Sequence, residues 1–556
     1  MTTGSRCLGA ATALVLLLGL TAHGDVELPA PFNGPVQHSR SIPVDFLNVR
    51  VELSFDWQKE SIQARATHTF RSFHDNFRTL VLDAVDITFL EVFNGKGDRL
   101  KFQGFDDRIE IQLAEPLSAG EKGQVSISYR CRPEQGIYFV SPIPEYPDRT
   151  LQVWTQGEQT EARYWLPCFD SPAERLASEL ILTVPEQLSV LANGKLQSDR
   201  NNGDGTRTVH WVQEQEHVVY LICFAAGVYE KLTDSWDGIP IASWHYPGDR
   251  ERAERSFHLT ADMMKLFSEK FGRYPWVKYD QIVVRDFMYG GMENTTATVL
   301  TDRTLHLAKD EPNTSSRGLV AHELAHQWFG DLVTCRDWSD IWLNESFASF
   351  CAPLYTEHHL GRPDAQMERL GQAESYFSED KNDYRRPLYC RTYENPDVMF
   401  DSHTYPMGAR ILEMLRQHLG DQDFFRGVRS YLERHKFQSV ETAQFRRAME
   451  DSTGESLGWF FDQWVHHGGY PELKVTQESD AEGGRLTLKV RQTQSVDSIT
   501  PLFQLPVTVG IHYASGQIQE EKVRVEKEEQ SFSFQLSARP SFVRFDQHSV
   551  LLMQLD

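Results

Sequence analysis

Between about Val44 and Lys231, apolar and polar residues alternate in short runs broken by Gly, Asp and Asn. "NVRVELSFDW", "ATHTFRSF", "RIEIQLAE", "GQVSISYRCR" and "ELILTVP" put an apolar side chain at every second position, which on a pleated strand is one face. The region predicts a large antiparallel β unit, half buried. Near Trp236 the period changes. Through Gly469, "RAERSFHLTADMMKLFSEKFG", "SSRGLVAHELAHQWFG", "MGARILEMLRQHLG" and "TAQFRRAMEDSTG" space apolar residues three and four apart, several ending on Gly, as helices with one inward stripe do. "YDQIVVRDF" is the clearest strand inside this helical region. From Pro471, alternation returns in "ELKVTQ", "RLTLKVRQT", "LPVTVGIHY", "EKVRVEK" and "FSFQLS", which predicts a small β-sandwich. The expected fold is multidomain α+β: an antiparallel β-rich domain over residues 25–234, a mostly helical domain over 235–470 and a β-sandwich over 471–556.

A chain of 556 residues exceeds a single core, in keeping with several domains. Its 79 acidic against 56 basic residues give a net charge of −23. That excess argues against nucleic acid or an anionic membrane surface as the main partner. At the N-terminus, Arg6 precedes the apolar run "LGAATALVLLLGLTA", and Ala22 and Gly24 form a small-x-small site. This pattern predicts a signal peptide over residues 1–24 and an exported protein, periplasmic or extracellular, with no stable membrane insertion after cleavage. Six cysteines would remain, Cys131, Cys168, Cys223, Cys335, Cys351 and Cys390, with no CxxC. A disulfide scaffold is excluded, while one or two bridges stay open.

The candidate chemistry lies in "RGLVAHELAHQWFGDLV", Arg317–Val333. Residues four apart on a helix lie about 40° apart around its axis, so His322 and His326 project from one face. Two imidazoles one turn apart suit a single metal ion. Glu323 sits about 100° round, placed to reach a water rather than to ligate. A catalytic zinc wants three protein ligands and an open position. Glu345, in "IWLNESFASF" on a second predicted helix with Asp337 or Ser339 as N-cap, is the third candidate. The pattern predicts one Zn²⁺ per chain. Pro353 predicts a kink two turns past Glu345.

"HELAHQWFGDLV" followed by "NESFA", with eighteen residues between His326 and Glu345, resembles the gluzincin aminopeptidases of the aminopeptidase N and leukotriene hydrolase family. The resemblance implies a thermolysin-like catalytic domain, zinc on His322, His326 and Glu345, and Glu323 as general base. "YGGMENTTAT" is similar to the family's Gly-x-Met-Glu-Asn exopeptidase motif. It implies that Glu293 anchors a free amine, that Gly290, Gly291 and Met292 let a peptide lie alongside, and that Tyr289 lines the pocket for the first side chain. "WTQGEQTEARYWLPCFDSP" resembles the family's second substrate-contacting stretch, with Gln156 and Glu158 at the contacting positions. Tyr405, in "FDSHTYPMGARIL", falls where the family places a tyrosine that stabilises the oxyanion, although Pro406 and Met407 depart from the usual context. A proline disfavours helical φ/ψ in the residue before it, so Tyr405 is expected to stand just outside the following helix. Many family members continue into a large helical domain, expected here to be absent.

The resemblance implies a zinc aminopeptidase acting on peptides with a free N-terminus. A zinc endopeptidase, a leukotriene-type epoxide hydrolase and a non-catalytic peptide-binding scaffold remain as alternatives. Oligomeric state is not readable.

Overall fold

The computed structural model describes residues 28–556 apart from 148, 312 and 480–483, so the signal-peptide expectation lies outside the described residues. The first region is built on a seven-stranded sheet. Its strand order is Lys195–Asn201, Thr206–Val218, Arg175–Pro185, Val44–Asp56, Ser61–Ser72, Lys122–Cys131, Ile87–Asn94. The alternation seen in sequence is realised: along Ser61–Ser72 every second residue is buried. One expectation fails. The central pair, Val44–Asp56 with Arg175–Pro185, runs parallel, with Asn48 opposite Ala177 and Ser54 opposite Thr183. Parallel neighbours need a long crossover, and residues 57–174 supply one that alternation alone does not disclose. A separate four-stranded sheet includes Gln152–Thr155.

The helical region carries its own five-stranded sheet, in the order Glu230–Trp236, Ile239–His245, Tyr279–Val284, Ala297–Thr301, Gly291–Met292. Tyr279–Val284 is buried at every position, as expected of a parallel strand covered on both faces. Gly291–Met292 is the edge of this sheet, paired antiparallel to Val299 and Leu300 on one side only.

Four helices complete the site: α1 (Arg317–Ala325), α2 (Trp342–His359), α3 (Arg362–Asn382) and α4 (Gly408–Leu419). Aromatic packing ties the segment after α1 to α2. The rings of Phe329 and Phe347 stack at 4.2 Å and 7°, with Phe445 edge-on to Phe347 at 5.1 Å. Asp337 caps the short 3₁₀ turn Trp338–Asp340, accepting from the Ser339 amide, rather than α2 itself. α2 continues past Pro353 to His359. The carbonyl of Ser349, the acceptor that Pro353 has no N–H to reach, takes a hydrogen bond from Gln372 Nε2 of α3 at 2.9 Å.

Beyond Pro471 the strands form a four-stranded sheet and a three-stranded sheet. All six cysteines from Cys131 to Cys390 are buried and free. Among the described residues, no helix is long and apolar enough to cross a membrane.

Candidate metal centre and peptide cleft

The two histidines meet as their spacing requires. α1 ends at Ala325, and His326 is its C-cap with helical φ −58° and ψ −25°, so the one-turn relation to His322 survives. His322 Nε2 and His326 Nε2 are 3.1 Å apart. Each lies 3.3 Å from Glu345 Oε2, which comes from the first turn of α2. His326 Nδ1 is 2.9 Å from the Phe329 carbonyl; as the donor there, it leaves Nε2 bare. Glu345 Oε2 is buried without a hydrogen-bond donor. Burial alone would raise this carboxyl, but the two histidines outweigh it and hold it at about 2.

These donors fit zinc. A tetrahedral centre with bonds of about 2.0–2.2 Å spaces its ligand atoms roughly 3.3–3.5 Å apart, close to the triangle observed. With both Nε2 atoms unprotonated, three lone pairs converging in this buried site would repel unless a cation sat between them.

The triangle faces a cavity of about 600 Å³, whose walls include Gln156, Glu158, Tyr289, Gly290, Gly291, Met292, Glu293, Glu323 and Tyr405. Every site residue expected from sequence therefore reaches one cleft. Glu158, Glu293 and Glu345 bring carboxylate oxygens within 4.8 Å of one another. Oε1 of both Glu158 and Glu293 is buried without a hydrogen-bond partner, and His326 Nδ1 lies 3.8 Å from Glu293 Oε1. Burial, reinforced by neighbouring carboxylates, pushes Glu158 and Glu323 well above the usual carboxylate range. Burial also raises Glu293. Four acids and two imidazoles crowd into this pocket, and a divalent ion together with an ammonium group would let all four acids ionise.

The N-terminal region supplies part of this wall. Gln156 Nε2 donates to Met292 Sδ at 3.2 Å across the junction. Asn193 Nδ2 bonds the Thr295 carbonyl at 2.8 Å, and the Gly194 amide bonds Thr296 Oγ1 at 2.7 Å. The segment after Glu293 is thus held from outside its own domain.

Gly291 has a role that its sequence context does not suggest. A Cβ there would lie 2.3 Å from Glu323 Oε1, so the missing side chain makes room for the candidate base. A Cβ on Gly290 would press on Leu319 at 3.1 Å.

Tyr405 corrects its expectation. It lies inside a π-helical turn, His403–Met407, that runs straight into α4. The wider winding accommodates Pro406: the Met407 amide reaches back five residues to the Ser402 carbonyl at 3.0 Å, and no bond is asked of the proline. The Tyr405 ring stacks on His322 at 6.0 Å and 18°. Burial, with Glu345 and Glu158 nearby, raises its phenol well above the ordinary value, so it keeps its proton as a donor.

Several cleft residues escaped the sequence reading: Gln159, Gly318, Leu319, Ser349, Ala352, Gln372 and Phe400. Helical spacing could have found some of them, since Gly318 precedes His322 by four, and Ser349 and Ala352 follow Glu345 by four and seven. Gln327 was also missed. Its side chain takes the Thr296 amide at 3.0 Å and gives to the Glu293 carbonyl at 2.9 Å, tying the edge strand to α1.

The fold and site together define a metallopeptidase-type centre, with an HExxH helix and a distant glutamate under a β-rich cover. Two family models cover most of the chain: the peptidase M1 N-terminal domain over residues 43–221 and the peptidase family M1 domain over residues 255–464. The chain belongs to the M1, or aminopeptidase N, family of gluzincin metallopeptidases. It is 30% identical over 447 residues to the puromycin-sensitive aminopeptidase of Caenorhabditis elegans, covering 77% of this chain and 47% of that one. It is 28% identical over 452 residues to the probable aminopeptidase 2 of Sulfurisphaera tokodaii, covering 78% and 55%. The glutamyl aminopeptidase of Bos taurus is 30% identical over 372 residues, covering 65% and 38%. The chain spans about half the length of the curated relatives it matches.

Proposed function

We propose that the protein is a zinc-dependent aminopeptidase that hydrolyses the first peptide bond of peptides with a free N-terminus. The observation that carries this reading is the sharing of one cleft by two sets of groups: the His322–His326–Glu345 donor triangle, and the buried oxygens of Glu158 and Glu293 that have no hydrogen-bond partner. An endopeptidase would leave those two acids buried and uncompensated along its substrate, at a cost of several kcal/mol.

In this reading the triangle holds one zinc, which when bound supplies Lewis acidity and activates water near neutral pH. Glu323 takes the proton of the attacking water and returns it to the leaving amine. Burial raises its affinity for a proton, and cations beside it would lower that affinity, which leaves a base poised to accept one. Glu158 and Glu293 bind the α-ammonium and so set the distance from chain end to scissile carbonyl. The open edge of Gly291–Met292 offers backbone groups to the peptide as an added strand. Tyr405 donates its hydroxyl to the oxygen that becomes negative, a contribution of about 2.7–4 kcal/mol by analogy with other oxyanion donors.

Glu323→Gln tests the chemistry. The variant is expected to retain one zinc per chain and to lose about 10²–10⁴-fold in kcat on aminoacyl-p-nitroanilides. Full activity with Gln at this position would refute the role of Glu323. Export belongs to the same proposal and rests on residues 1–24. N-terminal sequencing of the secreted product should begin at Asp25.

A further inference from the structure

Tyr405 occupies a kind of turn that rarely holds itself. A π turn places one extra residue in the winding, and this one contains a proline. Its supports converge from outside the cleft. Asp401 Oδ1 accepts from the amides of His403 and Thr404 at 3.1 and 2.9 Å, while its carbonyl accepts from Tyr405 at 3.0 Å. Arg386, fully buried, grips both Asp401 oxygens through Nε at 2.8 Å and Nη2 at 2.5 Å. The same Nη2 reaches Thr404 Oγ1 at 2.9 Å, and Nη1 is spent on the carbonyls of Pro387 and Leu388. The His403 ring lies between Tyr376 and Tyr384, with Nδ1 2.9 Å from Glu379. From the metal side, Ser346, the residue after Glu345, donates to the Thr404 carbonyl at 2.6 Å.

None of Arg386, Asp401 or His403 lines the cleft. A buried ion pair is poor evidence of stability, because desolvating two charges offsets most of their attraction; such pairs are better suited to fixing a geometry. Apart from Arg386 and the Tyr384 hydroxyl, the groups that bond Asp401 belong to the residues leading into Tyr405, and Arg386 spends its other donors on Met399, Thr404 and its own neighbours Pro387 and Leu388.

We infer that Arg386, acting through Asp401, is a positioning device for Tyr405: it builds the π turn that lays the phenol against His322 and fixes the hydroxyl before substrate arrives. This rests on the reading of Tyr405 as the oxyanion donor. Groups of this kind must be held to about 0.5 Å to be effective, so loosening the turn should waste most of the tyrosine's contribution.

A double-mutant cycle on the zinc-loaded full chain decides it. Asp401→Asn is expected to lower kcat about 10–100-fold, with KM within about 2-fold and metal still at one per chain. In a Tyr405→Phe background the same substitution should cost less than about 3-fold, since the donor it positions is gone. Thr404→Val, which removes one acceptor of Arg386 and keeps the shape, should repeat the pattern at about 3–5-fold and serves if Asp401→Asn does not fold. Equal losses in both backgrounds would overturn the positioning role alone. An unchanged kcat in Tyr405→Phe would overturn the tyrosine's role and this inference with it.

Discussion

Among the described residues, two clusters that combine histidine with carboxylates have the composition of a metal site. His322, His326 and Glu345, and likewise Glu379, Asp401 and His403, each bring three ligand atoms within 4.8 Å of one another. They differ in what is already paired. In the second cluster a guanidinium occupies both oxygens of Asp401, and His403 and Glu379 satisfy each other. In the first, Glu345 Oε2 has no donor and two imidazole nitrogens face each other at 3.1 Å. Capacity for a metal lies in donors left uncompensated, not in the roll of residue types. The second cluster has its cation built in and spends it on backbone geometry.

The largest expected effect separates the two directly. His322→Ala should reduce zinc from one per chain to below about 0.1 and activity by more than about 1,000-fold, whereas His403→Gln should leave zinc near one. Metal analysis by mass spectrometry reads both; zinc loss in His403→Gln would erase the distinction.

Next is the charge in the second cluster. Burial alone would raise Asp401, but Arg386 and His403 outweigh it and hold the carboxyl far below its usual range. A depressed carboxyl stabilises the fold above its unfolded pKa of about 3.9 and loses that contribution as pH falls toward the folded value. Asp401→Asn should therefore cost about 3–5 kcal/mol at pH 7, about the same at pH 5, and progressively less below about pH 4. Denaturant midpoints across that range measure it, and a deficit that does not shrink in acid would contradict the assignment.

A smaller effect is expected at the amine-binding acids. Glu293→Gln should cut the preference for free over N-acetylated peptides by about 10–100-fold, with zinc retained. Unchanged selectivity would move the anchor elsewhere.

Much of this was legible in the chain, and the exceptions have physical causes. The His322–His326 pair and the three-state pattern of strands, helices and strands rest on local periodicity, which packing does not override. The parallel placement of Val44–Asp56 beside Arg175–Pro185 joins residues more than a hundred apart, beyond any local pattern. The conformation of Tyr405 was misjudged because the rule for residues before proline is local. Arg386, nineteen residues upstream, helps hold the turn through Asp401. Gly291 was read for what might pass over it, while the clash it avoids comes from Glu323, thirty-two positions later.

The central claim is that the acids beside the metal triangle read a free amine. Hydrolysis of one tetrapeptide by the zinc-loaded protein, with its N-terminus free or acetylated, tests this most directly. The free peptide should lose its first residue with kcat/KM at least about 100-fold above any cleavage of the acetylated form. Equal rates on both, or cleavage at an internal bond, would contradict it.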